Sequence, residues 1–299
     1  MDGCRELGVG DLEGSRDLAT AKGFADYFRT IGAGSLYTHE QFLSFFAPVD
    51  PATLRGQSVI ELGFGHGSFL QHVALARPAR ISGVDLGDLV EETRRKLEGQ
   101  LSGVELDLRH GDLTTADLGP HDFAYCIGVL HHLQEPEAGF AALLRHAKNG
   151  GRFHGWIYAR EGNFFVIHVG DTIRKLCGRL PWWFTKWGPG FALALLVFVY
   201  SRALGFLEAW GARRLVRVLP LHEYGLSVAG CDFGFFHFLA TDLLVSRHTV
   251  YLERSTVDAW LRHPDVEPGS AYLVHRNGNS WSFGGRRRTL RSAGEEGTC

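Results

Sequence analysis

A glycine-rich segment is the part of this sequence with the clearest capacity for chemistry. Residues 59–70 read VIELGFGHGSFL, and a β-rich run within them ends at Glu61. Three glycines follow at alternate positions, namely Gly63, Gly65 and Gly67. Glycine tolerates positive φ and lets the backbone approach a ligand, and the helix that follows offers unpaired N–H groups. The pattern predicts a ligand site at the carboxyl end of the first strand; the alternative is a glycine-rich turn without a ligand.

Two aspartates follow the next two predicted strands. Asp85 ends the second strand, where a carboxylate can accept hydrogen bonds from both hydroxyls of a ribose. Asp112 comes directly after the third strand. Because parallel strands end at the same edge of a sheet, both aspartates are expected near the glycines. The alternatives are a surface carboxylate for Asp85 and a turn-capping role for Asp112.

Two adjacent histidines, His131 and His132, follow the fourth predicted strand. Imidazole titrates near neutral pH, so either ring is a candidate catalytic base. The alternatives are that His131 lines the site without proton transfer and that His132 caps the following helix. No metal is expected, because adjacent side chains on extended backbone point to opposite sides and no H-E-x-x-H ligand set is present.

The end of the fifth predicted strand carries candidate substrate contacts. Tyr158 and Arg160 lie there, at the same edge of the sheet as the glycine loop. An equally good interpretation is a salt bridge, involving Arg160 or Glu161, that fixes the segment beyond the strand.

The spacing E-x-G-x-G-x-G from Glu61 to Gly67 resembles motif I of the class I S-adenosylmethionine-dependent methyltransferases. It differs from the dinucleotide fingerprint G-x-G-x-x-G, whose third glycine position is Ser68 here. In that family the glycine loop holds the amino-acid part of S-adenosylmethionine, and the acid after strand three accepts from the adenine amino group. The loop after strand four flanks the transferable methyl. The resemblance implies these cofactor-binding residues: Glu61, Gly63, Phe64, Gly65, Gly67, Asp85, Leu86, Asp112, Leu113, Ile127 and Gly128.

The elements that must position these residues form a βαβ pattern. Seven β-rich runs are predicted, at residues 57–62, 80–84, 104–108, 121–127, 152–158, 271–275 and 279–283. The first five alternate with helical segments, which is typical of a parallel sheet covered on both faces. Asn277-Gly278 joins the last two runs and predicts a hairpin. The predicted fold is therefore a Rossmann-like, mostly parallel seven-stranded sheet with an antiparallel last strand.

The chain divides by composition into six predicted parts. They are a disordered N-terminus (1–16), N-terminal helices (17–56), the cofactor-binding core (57–159), a helical cap (160–250), the end of the core (251–285) and a flexible tail (286–299).

The predicted cap is rich in aromatic residues. Trp183 and Phe236 are candidate walls of a pocket for a hydrophobic or aromatic substrate, and His237 is a polar group among them. The alternative is that these rings form the core of the cap. An apolar run at 187–207 also predicts a buried helix or, as a second interpretation, a helix in peripheral contact with a membrane. Its uncharged part, 187–201, is shorter than the roughly 20 residues that a spanning helix needs.

Composition narrows the function classes. The formal net charge of -2 gives no overall attraction to nucleic acid, so no nucleic-acid partner is expected. Five unpaired-looking cysteines and an acidic start without an apolar segment indicate a cytoplasmic protein, with peripheral membrane contact as the alternative.

The sequence thus predicts a methyltransferase that moves a methyl group from S-adenosylmethionine to a small hydrophobic or aromatic molecule. Oxygen is the favoured acceptor and specialised metabolism the favoured setting, with carbon and nitrogen left open. Two alternatives are a tRNA or protein methyltransferase and a non-enzymatic scaffold that binds the cofactor or a membrane. The oligomeric state is left open.

Overall fold

The structure is a computed structural model that describes residues 16–29, 37–99, 101, 103–177, 180–246 and 248–289. Almost all of the predicted disordered N-terminus, and the predicted tail beyond residue 289, lie outside these ranges.

One mixed sheet organises the molecule. Its order is β3-β2-β1-β4-β5-β7-β6. The strands are β1 (Ser58–Leu62), β2 (Arg80–Asp85), β3 (Glu105–His110), β4 (His121–Ile127), β5 (Ala147–Tyr158), β6 (Tyr272–Arg276) and β7 (Ser280–Arg286). The first five run parallel, and β7 is antiparallel to both of its neighbours. The predicted Rossmann-like fold is confirmed.

Helices cover both faces of the sheet. A further group of helices follows β5 in the sequence. The helices in the described residues are α1 (Arg16–Phe28), α2 (His39–Phe46), α3 (Ser68–Ala74), α4 (Val90–Glu98), α5 (Pro136–His146), α6 (Asp171–Cys177), α7 (Trp182–Thr185), α8 (Phe191–Ala209), α9 (Arg213–Val216), α10 (His222–Ser227), α11 (Phe233–Val245) and α12 (Arg254–Leu261). Short π-helical turns, Val166–Gly170 and Lys186–Gly190, precede α6 and α8.

Alternate residues of the central strand β1 feed two cores. Val59 packs with the aromatic side chains of α2 and α3, whereas Ile60 packs with residues of α5 and α12 on the other face. Both side chains are fully buried. This burial on both faces explains why the apolar residues Val59 and Ile60 stand next to each other rather than alternating with polar residues.

The structure agrees with the predicted hairpin and shifts the ends of other elements. The hairpin between β6 and β7 turns at Asn277 and Gly278, which both have positive φ, as a tight turn requires. Strand β5 begins at Ala147, five residues before the predicted start, because Ala147 pairs with His121 across an irregularity in the register. The beginning of the predicted tail is held in place, since Arg287 donates to the carbonyls of Arg145 and Ala147.

Residues 160–250 are largely helical, and we call them the cap. Helices α8, α10 and α11 pack together, and the buried side chains Ala194, Val228, Phe236 and Ala240 form a small core of their own. By length and composition alone, the helical segment Trp183–Ala209 could cross a membrane. This helical segment includes Lys186 and Arg202, so it is longer than the uncharged run at 187–201.

Candidate active site

One large cavity lies where the carboxyl ends of the parallel strands meet the cap. Its volume is about 1320 Å³, and it extends from the glycine loop after β1 to helices α8 and α11. The strand order reverses between β1 and β4, so the crevice lies at the usual ligand position of an open α/β sheet. Most of the predicted site residues line it: Glu61, Gly63, Phe64, Gly65, Asp85, Leu86, Asp112, Leu113, Ile127, Gly128, His131, His132, Tyr158 and Phe236.

Two positions of the glycine loop, Gly63 and Gly67, leave no room for a side chain. Gly63 has φ +78, and a Cβ there would lie 2.6 Å from a methyl carbon of Val129. Gly67 has φ +74 and starts α3, where a Cβ would lie 2.5 Å from Thr93. Gly67 therefore packs against α4 and, unlike the other predicted cofactor residues, is not part of the cavity wall. Its role is to shape the loop.

Asp85 ties the end of β2 to the glycine loop. One carboxylate oxygen accepts from the N–H of Gly65 and the other from the N–H of Gly87, each at 2.7 Å. Burial raises the pKa of Asp85, and the two N–H donors oppose that shift. Each oxygen can accept a further hydrogen bond and the residue lines the cavity, so the carboxylate can also accept from hydroxyl groups of a ligand.

Glu61 lies at the floor of the cavity and is only 1% exposed. The hydroxyl of Tyr125 donates to its Oε2 at 2.8 Å. Burial raises the pKa of Glu61 to about 8, although the bond from Tyr125 lowers it, and the nearby Asp85 adds to the rise. A cationic ligand group would stabilise the ionised carboxylate here, because it would replace the lost hydration.

Asp112 combines both roles that the sequence left open. Its Oδ1 accepts from the N–H of Thr114 at 2.8 Å and so caps the turn after β3. The residue also lines the cavity. The second oxygen makes no hydrogen bond to the described residues and is available to a ligand.

The two histidines lie in a 3-10 turn, Leu130–His132, rather than on extended backbone. Their ring centroids are 4.3 Å apart, so the expectation that they point to opposite sides was wrong. His131 is 1% exposed, and its Nδ1 accepts from the N–H of Tyr158 at 3.4 Å. Burial is the main cause that holds its pKa well below the ordinary value.

His132 has the geometry of an oriented base. Its Nδ1 donates to the carbonyl of His248 at 2.9 Å, with the hydroxyls of Ser246 and Thr249 each at 3.1 Å. This partner fixes the tautomer and leaves the Nε2 lone pair without a partner among the described residues. Burial lowers the pKa of His132 to about 4, so the ring is neutral at physiological pH. It does not cap the next helix.

Asp242 is a site residue that the sequence analysis missed. It lies on α11 and lines the cavity on the cap side. Burial raises its pKa to about 7, and its charge influences Tyr37, Tyr158 and Tyr224. In the described part of the chain its carboxyl group makes no hydrogen bond. The signal was present, because Asp242 is the single acid in the apolar segment FGFFHFLATDLLV.

Helix α1 also contributes to the site, which its sequence pattern did not indicate. Phe24 lies 5.2 Å from the ring of His132, and Phe28 faces the glycine loop at Gly65. Asp17 accepts from the N–H of Gln134 at 3.0 Å, which joins α1 to the loop after β4. The helix therefore covers the cofactor end of the cavity.

Three predicted substrate residues lie outside the cavity wall. Arg160 is exposed and pairs with Glu253 at 2.9 Å, so the salt-bridge alternative describes it better. Trp183 is 56% exposed on the outer surface of the cap. His237 donates to the carbonyl of Lys186 at 2.8 Å, a bond that ties α11 to the turn before α8. These contacts are structural.

No group of three His, Cys, Asp or Glu side chains that could hold a metal ion is found in the described residues. The cysteines among them, Cys126, Cys177 and Cys231, are all free thiols.

A known domain family matches the part of the chain that builds this cavity. Residues 60–153 match the family model described as a methyltransferase domain. By that match they are a methyltransferase domain, and the sheet that they help to build has the fold of the class I S-adenosylmethionine-dependent methyltransferases. The family resemblance inferred from the glycine motif is thereby confirmed, as is S-adenosylmethionine as the cofactor of this enzyme family.

The methyltransferase domain has relatives of moderate identity. A ubiquinone biosynthesis O-methyltransferase from Hahella chejuensis is 33% identical over 133 residues, which are 43% of this chain and 55% of that protein. An uncharacterized protein from Synechococcus sp. is 32% identical over 127 residues, or 40% of this chain and 30% of that protein. The chain thus spans about half or less of the length of these relatives.

Two solved structures share the fold of the methyltransferase domain and its surroundings. Magnesium protoporphyrin IX methyltransferase (ChlM) from Synechocystis PCC 6803, solved with bound SAH, has a TM-score of 0.50 at 16% identity and covers 93% of this chain and 99% of its own. An O-methyltransferase family protein from Burkholderia thailandensis has a TM-score of 0.51 at 12% identity, covering 89% and 59%. At these identities the likeness concerns the fold.

Proposed function

We propose that this chain transfers the methyl group of S-adenosylmethionine to a hydroxyl oxygen of a small, hydrophobic molecule. One observation carries the proposal: the glycine loop, Asp85 and His132 face the same cavity of about 1320 Å³. Ligand pockets are commonly about 300–1,000 Å³. The larger volume gives room for a cofactor and a substrate side by side.

The cofactor end of the cavity fits the chemistry of S-adenosylmethionine. Its carboxylates, Glu61, Asp85 and Asp112, suit a ligand with an ammonium group, two ribose hydroxyls and an adenine amino group. Gly128, with φ +77, has open space where a Cβ would stand, so ligand atoms can approach its backbone. When bound, S-adenosylmethionine supplies a methyl group on a positively charged sulfur, which is a good leaving group.

The residues of this chain would then hold the acceptor and remove its proton. We assign the proton to Nε2 of His132, since Nδ1 already donates to the carbonyl of His248. As the new oxygen–carbon bond formed, the methyl–sulfur bond of the cofactor would break with its electron pair left on sulfur, and the substrate proton would pass to Nε2 of His132. The apolar walls from α1 and the cap would reduce contact of the reacting groups with water and help to keep them aligned.

The cap end of the cavity supports a hydrophobic substrate. Leu193 and Val197 of α8 and Phe235 of α11 line it, while Asp242 and Tyr224 supply a small polar group. A planar or aliphatic molecule with one or more hydroxyls matches this combination of walls. The relatives named as ubiquinone biosynthesis O-methyltransferases favour oxygen as the acceptor. A role in specialised metabolism in the cytoplasm is part of the same proposal.

The test is a turnover assay with the purified chain, S-adenosylmethionine and a panel of hydrophobic phenols, quinols and carboxylic acids. The proposal expects S-adenosylhomocysteine to form only with hydroxyl-bearing members, together with a product that has gained one methyl group on oxygen. Transfer to a tRNA or a protein, with no turnover of any small molecule in the panel, would replace this proposal with the macromolecular alternative.

A further inference from the structure

Helix α8 exposes apolar side chains along its whole length. Leu195, Leu196, Val199 and Phe206 recur at helical spacing and are 48%, 67%, 57% and 58% exposed. The opposite face, which includes Ser201, packs against α10 and α11. A surface helix of a water-soluble protein normally presents polar residues outward. We call the outward surface of α8, from Phe191 to Trp210, the apolar cap face.

Neighbouring segments add further exposed apolar residues to the cap. Trp187 and Trp210, near the two ends of α8, are 65% and 78% exposed. Phe164, Leu176 and Val218 are 64%, 70% and 76% exposed. Exposed apolar surface on this scale marks an interaction site rather than ordinary surface variation. Tryptophan is enriched where protein meets the boundary between lipid and water.

The charge of the same part of the chain identifies the partner. Residues 164–220 contain eight Lys and Arg against two Asp and Glu, although the whole chain has a net charge of -2. Arg213, Arg214 and Arg217 are exposed just beyond the end of α8 and alternate with exposed apolar residues. Basic residues beside an apolar face with tryptophan are the composition of a helix that binds an anionic lipid surface.

The cavity opens onto the same surface. Leu196, Phe165 and Val169 line the cavity and are also exposed, at 67%, 52% and 54%. A molecule dissolved in a bilayer could therefore pass between these side chains without crossing water. The geometry of α8 favours a position in the plane of the interface, because its inner face is committed to packing with α10 and α11.

From these observations we infer that the apolar cap face docks on an anionic lipid bilayer and turns the mouth of the cavity toward the lipid. The docking is inferred only from the exposed residues and charges of the cap. The delivery of an amphiphilic substrate from the bilayer rests on the proposed function. A second copy of the chain is the competing occupant of this face.

Vesicle flotation of the full chain tests the docking directly. We expect binding to vesicles of phosphatidylcholine with phosphatidylglycerol, and at least tenfold weaker binding to phosphatidylcholine alone. The double variant Leu195→Gln with Val199→Gln should bind at least tenfold more weakly than the unchanged chain. Neither residue lines the cavity, so the double variant should keep the affinity of the unchanged chain for S-adenosylhomocysteine. That affinity serves as a folding control.

Matched controls separate the apolar cap face from general surface effects. Leu75 at the end of α3 is 68% exposed, so Leu75→Gln removes an exposed apolar side chain away from the cap and should leave vesicle binding unchanged. The double variant Arg213→Glu with Arg214→Glu should abolish the preference for anionic vesicles, because each lost positive charge should weaken binding to them about fivefold or more. Arg55→Glu, the control, should keep that preference.

Three results would overturn the inference: no flotation with either vesicle, flotation that the Leu195 and Val199 substitutions leave intact, or a stable dimer by light scattering that these substitutions dissociate. Flotation is measured without turnover. A chain that binds vesicles and S-adenosylhomocysteine but methylates nothing in the panel would contradict the proposed function alone.

Discussion

At the scale of single residues, the proposed methyl transfer depends on which group accepts the proton of the substrate. His132→Ala should lower kcat by about 10²–10⁴-fold, the usual contribution of a general base, and should change cofactor affinity by less than about twofold. Steady-state rates and calorimetry measure the two effects. His263→Ala, a histidine outside the cavity wall, is the matched control.

The pH profile distinguishes His132 from Asp242. The pKa of His132 is lowered to about 4, so its base form is complete above about pH 5 and kcat should be flat between about pH 6 and pH 8. The pKa of Asp242 is raised to about 7. A kcat that instead falls tenfold per pH unit below about pH 7, and becomes flat in Asp242→Asn, would assign the base to Asp242.

Glu61 should make the stability of the cofactor-free chain depend on pH. Its pKa in the folded chain is about 8, above the ordinary value of 4.5, so the folded state retains a proton that the unfolded state has lost. The stabilisation is therefore complete below about pH 4.5 and is lost as the pH rises toward 8, with a slope of at most about 1.4 kcal/mol per pH unit.

Urea unfolding at several pH values, with and without Glu61→Gln, measures this slope. Glutamine keeps a neutral side chain that can accept from Tyr125, so the variant should lack this part of the pH dependence. Identical slopes for the two chains would mean that Glu61 is ionised in the folded state at neutral pH.

At the scale of elements, helix α1 should contribute to cofactor binding. The ring of Phe28 would lie 3.1 Å from a Cβ at Gly65, so it covers the glycine loop. Phe28→Ala should weaken S-adenosylhomocysteine binding about 3- to 30-fold, since it removes part of the apolar cover. Phe164→Ala, at a ring that is 64% exposed on the cap, should leave the affinity unchanged in the same calorimetric titration. Equal affinities for all three chains would remove α1 from the site.

The strands and the glycine loop could be predicted because their signals are local. Period and turn residues mark each strand, and the spacing from Glu61 to Gly67 is readable without the fold. The packing of α1 on the glycine loop, which Phe28 makes, was not predictable, because it joins segments that are distant in the sequence. His131 and His132 were assigned to extended backbone because a short 3-10 turn after a strand has no strong sequence signal.

At the scale of the whole molecule, the cap decides how much of the site the sequence can reveal. Trp183 and Phe236 carry the same aromatic signal in the sequence, yet one is 56% exposed and the other is 1% exposed. Which side of a helix faces the cavity depends on how α8 and α11 pack, and both helices are apolar nearly all round. For the same reason Asp242 could be placed at the cavity only from the structure.

The molecule as described joins a cofactor site on the sheet to an apolar cavity under the cap, and the central claim is that this junction binds S-adenosylmethionine. Asp85 belongs to both parts of this junction, because it accepts a hydrogen bond from Gly65 in the glycine loop and also lines the cavity. Asp85→Ala should weaken binding about 10- to 150-fold, which corresponds to roughly 1.5–3 kcal/mol from lost ligand hydrogen bonds. Asp107→Ala on β3, which loses ion pairs to Arg80 of β2 and to Arg109, is the control that should leave the affinity unchanged.

The most direct measurement is a calorimetric titration of the unchanged chain and of Asp85→Ala with S-adenosylhomocysteine and with NAD. The account predicts one saturable S-adenosylhomocysteine site per chain, weakened in Asp85→Ala, and no binding of NAD. Binding of NAD without S-adenosylhomocysteine, or an affinity for S-adenosylhomocysteine that Asp85→Ala leaves unchanged in a folded chain, would contradict it.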